Sequence, residues 1–199
     1  VSLGQVDKGG ALLEQALVLR RAEHGDTSLE AAETWQHLGL HHMTQKSVES
    51  AEECYLNALK IREARLGPDD PLVAITLMHL GIAKSFAADL PEAAKLLRRA
   101  RTRIHKHRGP DSREYCVVVT LLGGLLMNEG EVEEATALLP EAMLLIQKHE
   151  GASGLGKAVG LFLQGRLASK IGFHAQATKQ YVEAIETIGI MAAYQHFWS

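Results

Sequence analysis

Cysteine is nearly absent from this 199-residue sequence. The two that occur, Cys54 and Cys116, form no C-x-x-C pair. That removes a disulfide framework and a zinc knuckle, and it fits a reduced intracellular compartment in which each thiol is a small core residue. No apolar run approaches the roughly 18 residues of a membrane span, and there is no signal-peptide pattern. The chain starts at Val1 rather than Met, so it reads as an excised or processed piece of something longer. Charge of one sign is also missing: the net charge is −3, which argues against a dedicated nucleic-acid binder. There is no nucleophile–base arrangement, phosphate loop or acidic metal cluster, so neither catalysis, a cofactor nor a metal is expected. Low-complexity segments and strand patterns are lacking as well.

What the chain does have is a 42-residue period. Gly39, Gly81, Gly123 and Gly165 form one column; Gly25, Gly67, Gly109 and Gly151 a second; Ala51, Ala93, Ala135 and Ala177 a third; Ala16, Ala58, Ala100, Ala142 and Ala184 a fourth. A bulkier column runs Tyr55, Leu97, Leu139, Tyr181. Such self-similarity marks a repeat protein. Gly67 follows a helical run and precedes a Pro, where a left-handed residue ends a helix. Ser28, Asp70 and Ser112 share a column suited to capping the next helix, and Pro71 takes the first helical position. Glycine inside a helix is poor by about 1 kcal/mol relative to alanine. Its recurrence at 39, 81, 123 and 165 therefore implies close helix–helix approach, and the alanine columns imply the same.

The expected architecture is all-α: a single domain over 1–199, built as a solenoid of antiparallel helix pairs. It opens with a loop over 1–9 and a half unit over 10–24, whose own first helix is absent or upstream. Units follow at about 28–66, 70–108, 112–150 and 154–190. Helices are expected over Ser28–Lys46, Val48–Leu66, Pro71–Ala87, Pro91–Arg108, Arg113–Glu129, Glu131–Glu150, Gly156–Ile171 and His174–Ile190. The glycine-rich turn before the last pair is expected to be the loosest joint. The tail 191–199 holds Tyr194, Phe197 and Trp198, which would cap the final unit or engage a neighbouring molecule.

The columns resemble the tetratricopeptide repeat. Its W-x-x-L-G … A … F … A pattern appears as Trp35, Leu38, Gly39, Ala51, Tyr55 and Ala58, and again from Leu77, Val119 and Leu161. The 42-residue length and A-L-K-I-R-E-A-R-L-G-P-D-D-P are similar to the kinesin light chain type. The resemblance implies a right-handed superhelix whose first helices line a concave groove for peptides. Where kinesin light chains carry paired asparagines, this chain has Met78 and His79.

On that basis the groove is expected to carry Gln36, His37, Leu40, Met43, Met78, His79, Ile82, Phe86, Thr120 and Met127. It would be apolar, adaptable through methionine, and suited to a protein or peptide partner. Self-association through this groove or the aromatic tail is the alternative. The stretch 98–108, with Arg98, Arg99, Arg101 and Arg103, is a basic ridge that would meet nucleic acid or an acidic partner, or would be a solvated face. His37, His41 and His79 read as polar groove residues. The chain is expected to be a non-catalytic cytoplasmic scaffold.

Overall fold

The computed structural model describes residues 3–150 and 155–197. Among these, nine helices and no strand occur: α1 (Leu3–His24), α2 (Leu29–Thr44), α3 (Val48–Leu66), α4 (Pro71–Phe86), α5 (Leu90–Arg108), α6 (Arg113–Glu129), α7 (Val132–Glu150), α8 (Leu155–Lys170) and α9 (His174–Phe197). The chain packs as two compact units, Val1–Gly109 and Pro110–Ser199. In the first, α1 packs on α2, α2 on α3, α3 on α4 and α4 on α5. In the second, α6 packs on α7, α7 on α8 and α8 on α9. Each unit is thus a stack of antiparallel helix pairs, and the fold class is the all-α solenoid. Internal helix boundaries fall within two residues of expectation. The outer ones do not: α1 starts at Leu3, where a loop was expected, and α9 continues to Phe197. Composition misleads at both ends, because glycines at 4, 9 and 10 resemble a loop and the aromatics resemble a separate cap. The side chains of 189–199, including Tyr194, Phe197 and Trp198, and the turn 151–154 lie outside the described residues.

Capping explains where the pairs begin. The Ser28 hydroxyl accepts from the Ala31 amide at 3.1 Å, the Asp70 carboxylate from Leu72 at 2.7 Å and the Ser112 hydroxyl from Tyr115 at 3.3 Å. Each satisfies one of the amides that the first turn of a helix leaves unbonded.

The turn inside each pair also repeats. Ser47, Asp89, Glu131 and Phe173 donate their amides five residues back, to His42, Lys84, Leu126 and Ala168, at 2.8–3.0 Å. That bond requires the preceding residue to be left-handed. Gly130 and Gly172 meet this need freely, but Lys46 (φ 61°) and Ala88 (φ 62°) adopt it as well. A Cβ is disfavoured there by about 1–2 kcal/mol. Ala88→Gly should therefore stabilise the first unit by about 1 kcal/mol, less the unfolded-state entropy that glycine adds, and a thermal melt reads the gain.

The small-residue columns sit where helices cross. Ala51, Ala93, Ala135, Ala177 and Ala58, Ala100, Ala142, Ala184 are all buried. A Cβ built on Gly39 would fall 2.4 Å from the Tyr55 ring, on Gly81 2.9 Å from Leu97, on Gly123 2.9 Å from Leu139 and on Gly165 2.7 Å from Tyr181. The glycine column and the bulky column are the two halves of one repeated contact.

Candidate functional site

In the first unit the outward edges of α2 and α4 follow one helical line each, exposed along α2 and half-buried along α4 up to the exposed Phe86. On α2 it is Glu33, His37, Leu40 and Thr44; on α4 it is Ile75, His79, Ile82 and Phe86. The steps of four, three and four residues keep each set on one face, and the two sets are 42 residues apart throughout. Beneath them lies a polar network that joins three helices. Arg62 of α3 is buried and donates to Gln36 Oε1 at 3.0 Å, to Thr76 Oγ1 at 2.6 Å and to the Leu72 carbonyl at 3.3 Å. Gln36 Nε2 lies 3.0 Å from His79 Nδ1, and the imidazole stacks on Tyr55 with centroids 5.7 Å apart. The network thereby fixes α2 beside α4.

Arg62 also bears on the chemistry of His79. His79 Nδ1 lies between Gln36 Nε2 at 3.0 Å and the Ile75 carbonyl at 2.9 Å, so a bare Nδ1 accepts from the amide and a protonated one donates to the carbonyl. Burial lowers the His79 pKa below 6.5, and the Arg62 charge lowers it further, while the nearby Ile75 carbonyl acts in the opposite sense. The unfolded chain binds that proton more readily than the folded one. Stability from this group is complete above about pH 6.5 and is lost as pH falls through the folded-state pKa. Melting temperatures recorded from pH 7.5 to 5 should fall, and His79→Asn should flatten the slope.

This geometry revises the expected groove. Gln36, Met78 and Met127 are buried. They lie one position round the helix from the outward line of their own helix, within the packing. His37, Leu40 and Phe86 are exposed, while Met43, His79 and Ile82 are half-buried. Thr120, half-buried, and Met127 both belong to α6 in the second unit. Glu33, Thr44 and Ile75 were not singled out from sequence. The signal for them was present: the buried Leu38 and Leu77 fix the inward direction of α2 and α4, and the outward line follows from it.

The basic stretch is tied into the fold. Arg99 pairs with Glu63 at 3.1 Å, Arg103 donates to the Pro68 carbonyl at 2.7 Å, and Lys106 reaches Asp69 at 3.3 Å. Arg98 and Arg101 have partners as well. The cations of α5 thus fasten it to α3 and to the turn before α4. Among the described residues no group of three His, Cys, Asp or Glu is placed to hold a metal. His41 instead has its Nε2 2.6 Å from where Gly10 would carry a Cβ. Cys54 and Cys116 are free and buried, and burial pushes the Cys54 thiol up to about 11. None of the described helices is long and apolar enough to cross a membrane.

Capped antiparallel pairs and a glycine-to-bulky crossing repeated at 42 residues are the architecture of the tetratricopeptide-repeat fold. Residues 30–104 match the family model described as the tetratricopeptide repeat. The crystal structure of BtubC (BKLC) from P. vanneervenii is similar, with a TM-score of 0.79 at 20% identity over 95% of this chain and 75% of that one. A Podosopora anserina kinesin-light-chain structure with nearly identical TPR-like repeats gives 0.75 at 19% identity over 97% and 90%. MamA gives 0.64 at 17% identity over 98% and 99%. No curated protein matches the sequence.

Proposed function

We propose that this chain is a non-catalytic protein-interaction scaffold of the cytoplasm that takes a peptide or helix of a partner on the α2/α4 face of its first unit. The observation that carries this reading is the line of Leu40, Ile82 and Phe86, left open by the fold on a rigidly fixed pair of helices. Phe86 is 70% exposed, and a large aromatic at that exposure gains most from being covered. Tetratricopeptide repeats and kinesin-light-chain-like neighbours agree with a scaffold role. His37 and His79 border the apolar line and supply hydrogen bonds to a peptide backbone. Because the Arg62 network already holds α2 and α4 in place, the scaffold loses little entropy on binding.

Leu40→Glu combined with Phe86→Glu tests the face. Both side chains point outward, so helicity and melting temperature should hold within about 0.5 kcal/mol. Capture of the partner from native extract should be lost. If the variant captured the same partner as the parent chain, the binding surface would lie elsewhere.

A further inference from the structure

The 42-residue period allows the grooves between successive second helices to be compared. Cations close the α3/α5 groove: Arg99 pairs with Glu63 at 3.1 Å, and Arg103 and Lys106 lie 3.7 and 3.3 Å from Asp69. One period earlier, in the α1/α3 groove, Asn57, Ile61 and Ala64 replace those cations, and Arg21 and Thr27 replace the two acids. Every element of the closed groove has its counterpart in the open one, so the difference lies in the side chains. A cavity of about 540 Å³ remains between α1, α2 and α3. Trp35, half-buried against a cluster that includes Leu17 and Leu38, lines it. Arg21, Lys60 and Arg65 border it with a single carboxylate, Asp26, which Arg21 holds at 2.6 Å. Arg65 gives its Nε to the Thr27 carbonyl at 2.9 Å. Lys60 is exposed and has neither ion pair nor hydrogen bond among the described residues.

We propose that this α1/α3 groove binds an acidic segment of a partner protein, in which carboxylates flank an aliphatic side chain. The closed copy is the template for the charge: there the cations meet Glu63 and Asp69, carboxylates that the chain itself supplies. In the α1/α3 groove Asp26 is already held by Arg21, so Lys60 and the Nη groups of Arg65 take their carboxylates from outside. An ammonium and a guanidinium are donors only, and they favour an ionised acceptor. The aliphatic side chain covers the open part of the Trp35 indole, a large surface that gains from cover. A nucleic-acid strand would need the positive surface to continue, and in the next groove the cations are already paired with Glu63 and Asp69. No residue of the α2/α4 line borders the cavity, so this site is separate from the face proposed above.

The test uses the full chain with Trp198→Phe, which leaves Trp35 as the sole tryptophan, and the peptide acetyl-Asp-Glu-Leu-Asp-Glu-amide. Trp35 fluorescence should change saturably on titration, and added salt should weaken the binding. Lys60→Glu should weaken it at least ~10-fold while helicity and melting temperature hold. Lys60→Arg should retain it, and Leu40→Glu with Phe86→Glu should leave it unchanged. The neutral peptide acetyl-Asn-Gln-Leu-Asn-Gln-amide should not bind. A signal that does not saturate, equal binding of the neutral peptide, or indifference to Lys60→Glu would overturn the proposal. So would single-stranded oligothymidylate binding tighter than the peptide, or a concentration-dependent dimer of the parent chain that Lys60→Glu abolishes, because nucleic acid or a second copy would then be the occupant.

Discussion

Gly39→Val should destabilise the first unit by about 3 kcal/mol, although valine is the better helix former. Its Cβ would enter the space of Tyr55, 2.4 Å from one ring carbon. The ring cannot swing away. It is 1% exposed and stacked on His79, which the Gln36–Arg62 chain holds in turn. Overpacking at a crossing therefore propagates into helix separation. The diagnostic is the coupling rather than the loss alone. Tyr55→Leu shortens the opposing side chain, so the double variant should cost at least about 1 kcal/mol less than the sum of the single changes. Urea unfolding of the four chains measures it. Gly9, which would meet nothing within 4 Å, is the control: Gly9→Ala should be neutral or mildly stabilising. Additive losses at 39 and 55 would mean that the two columns are not halves of one contact.

The second large effect concerns Arg62. Its counterparts at 104, 146 and 188 are all isoleucine, so the first stacking junction is polar where later ones are apolar. Arg62→Ile alone should cost about 3 kcal/mol, because Gln36 Oε1 and Thr76 Oγ1 lose their donor in a buried site. Converting the whole cluster to the residues of later repeats, with Gln36→Met, Thr76→Val and His79→Leu added, should recover that loss and reach at least the parent stability. Buried polar clusters replaced by apolar groups of similar volume are often neutral or stabilising. The converted chain should also lose the acid-side decline in melting temperature, since His79 would be gone. Failure of the fourfold variant to recover would show that the network stabilises by more than satisfying its own members.

Much of this was legible before any coordinates. The period located the helices because each column repeats one packing job: Gly81 must admit Leu97, and Asp70 must cap α4. Those demands are local, so residue type reveals them. The hairpin turn was less legible. Lys46 and Ala88 occupy a left-handed site that sequence would assign to glycine, and only the 130 and 172 copies betray it. The expected face held His37, Leu40, His79, Ile82 and Phe86 of the open line together with buried neighbours such as Gln36 and Met78. Methionine at 78 suggests an adaptable surface, but helical pitch places it beside Leu77 and Gly81, on the buried side. Which way a helix rolls depends on what lies over it, and that is a tertiary quantity. The Arg62 network was invisible for the same reason: Gln36, Arg62, Thr76 and His79 span 44 positions and meet only when three helices are stacked. The cations of α5 looked like a ridge because their acceptors, Glu63, Pro68 and Asp69, belong to other parts of the chain.

The central claim is that a partner rests on the α2/α4 face. A photo-crosslinking residue placed at Phe86, at Leu40 or at Thr102 on the exposed side of α5 tests it directly. The account predicts that one and the same partner is captured from positions 86 and 40 and not from 102. Capture from 102 with none from 86 or 40 would contradict it.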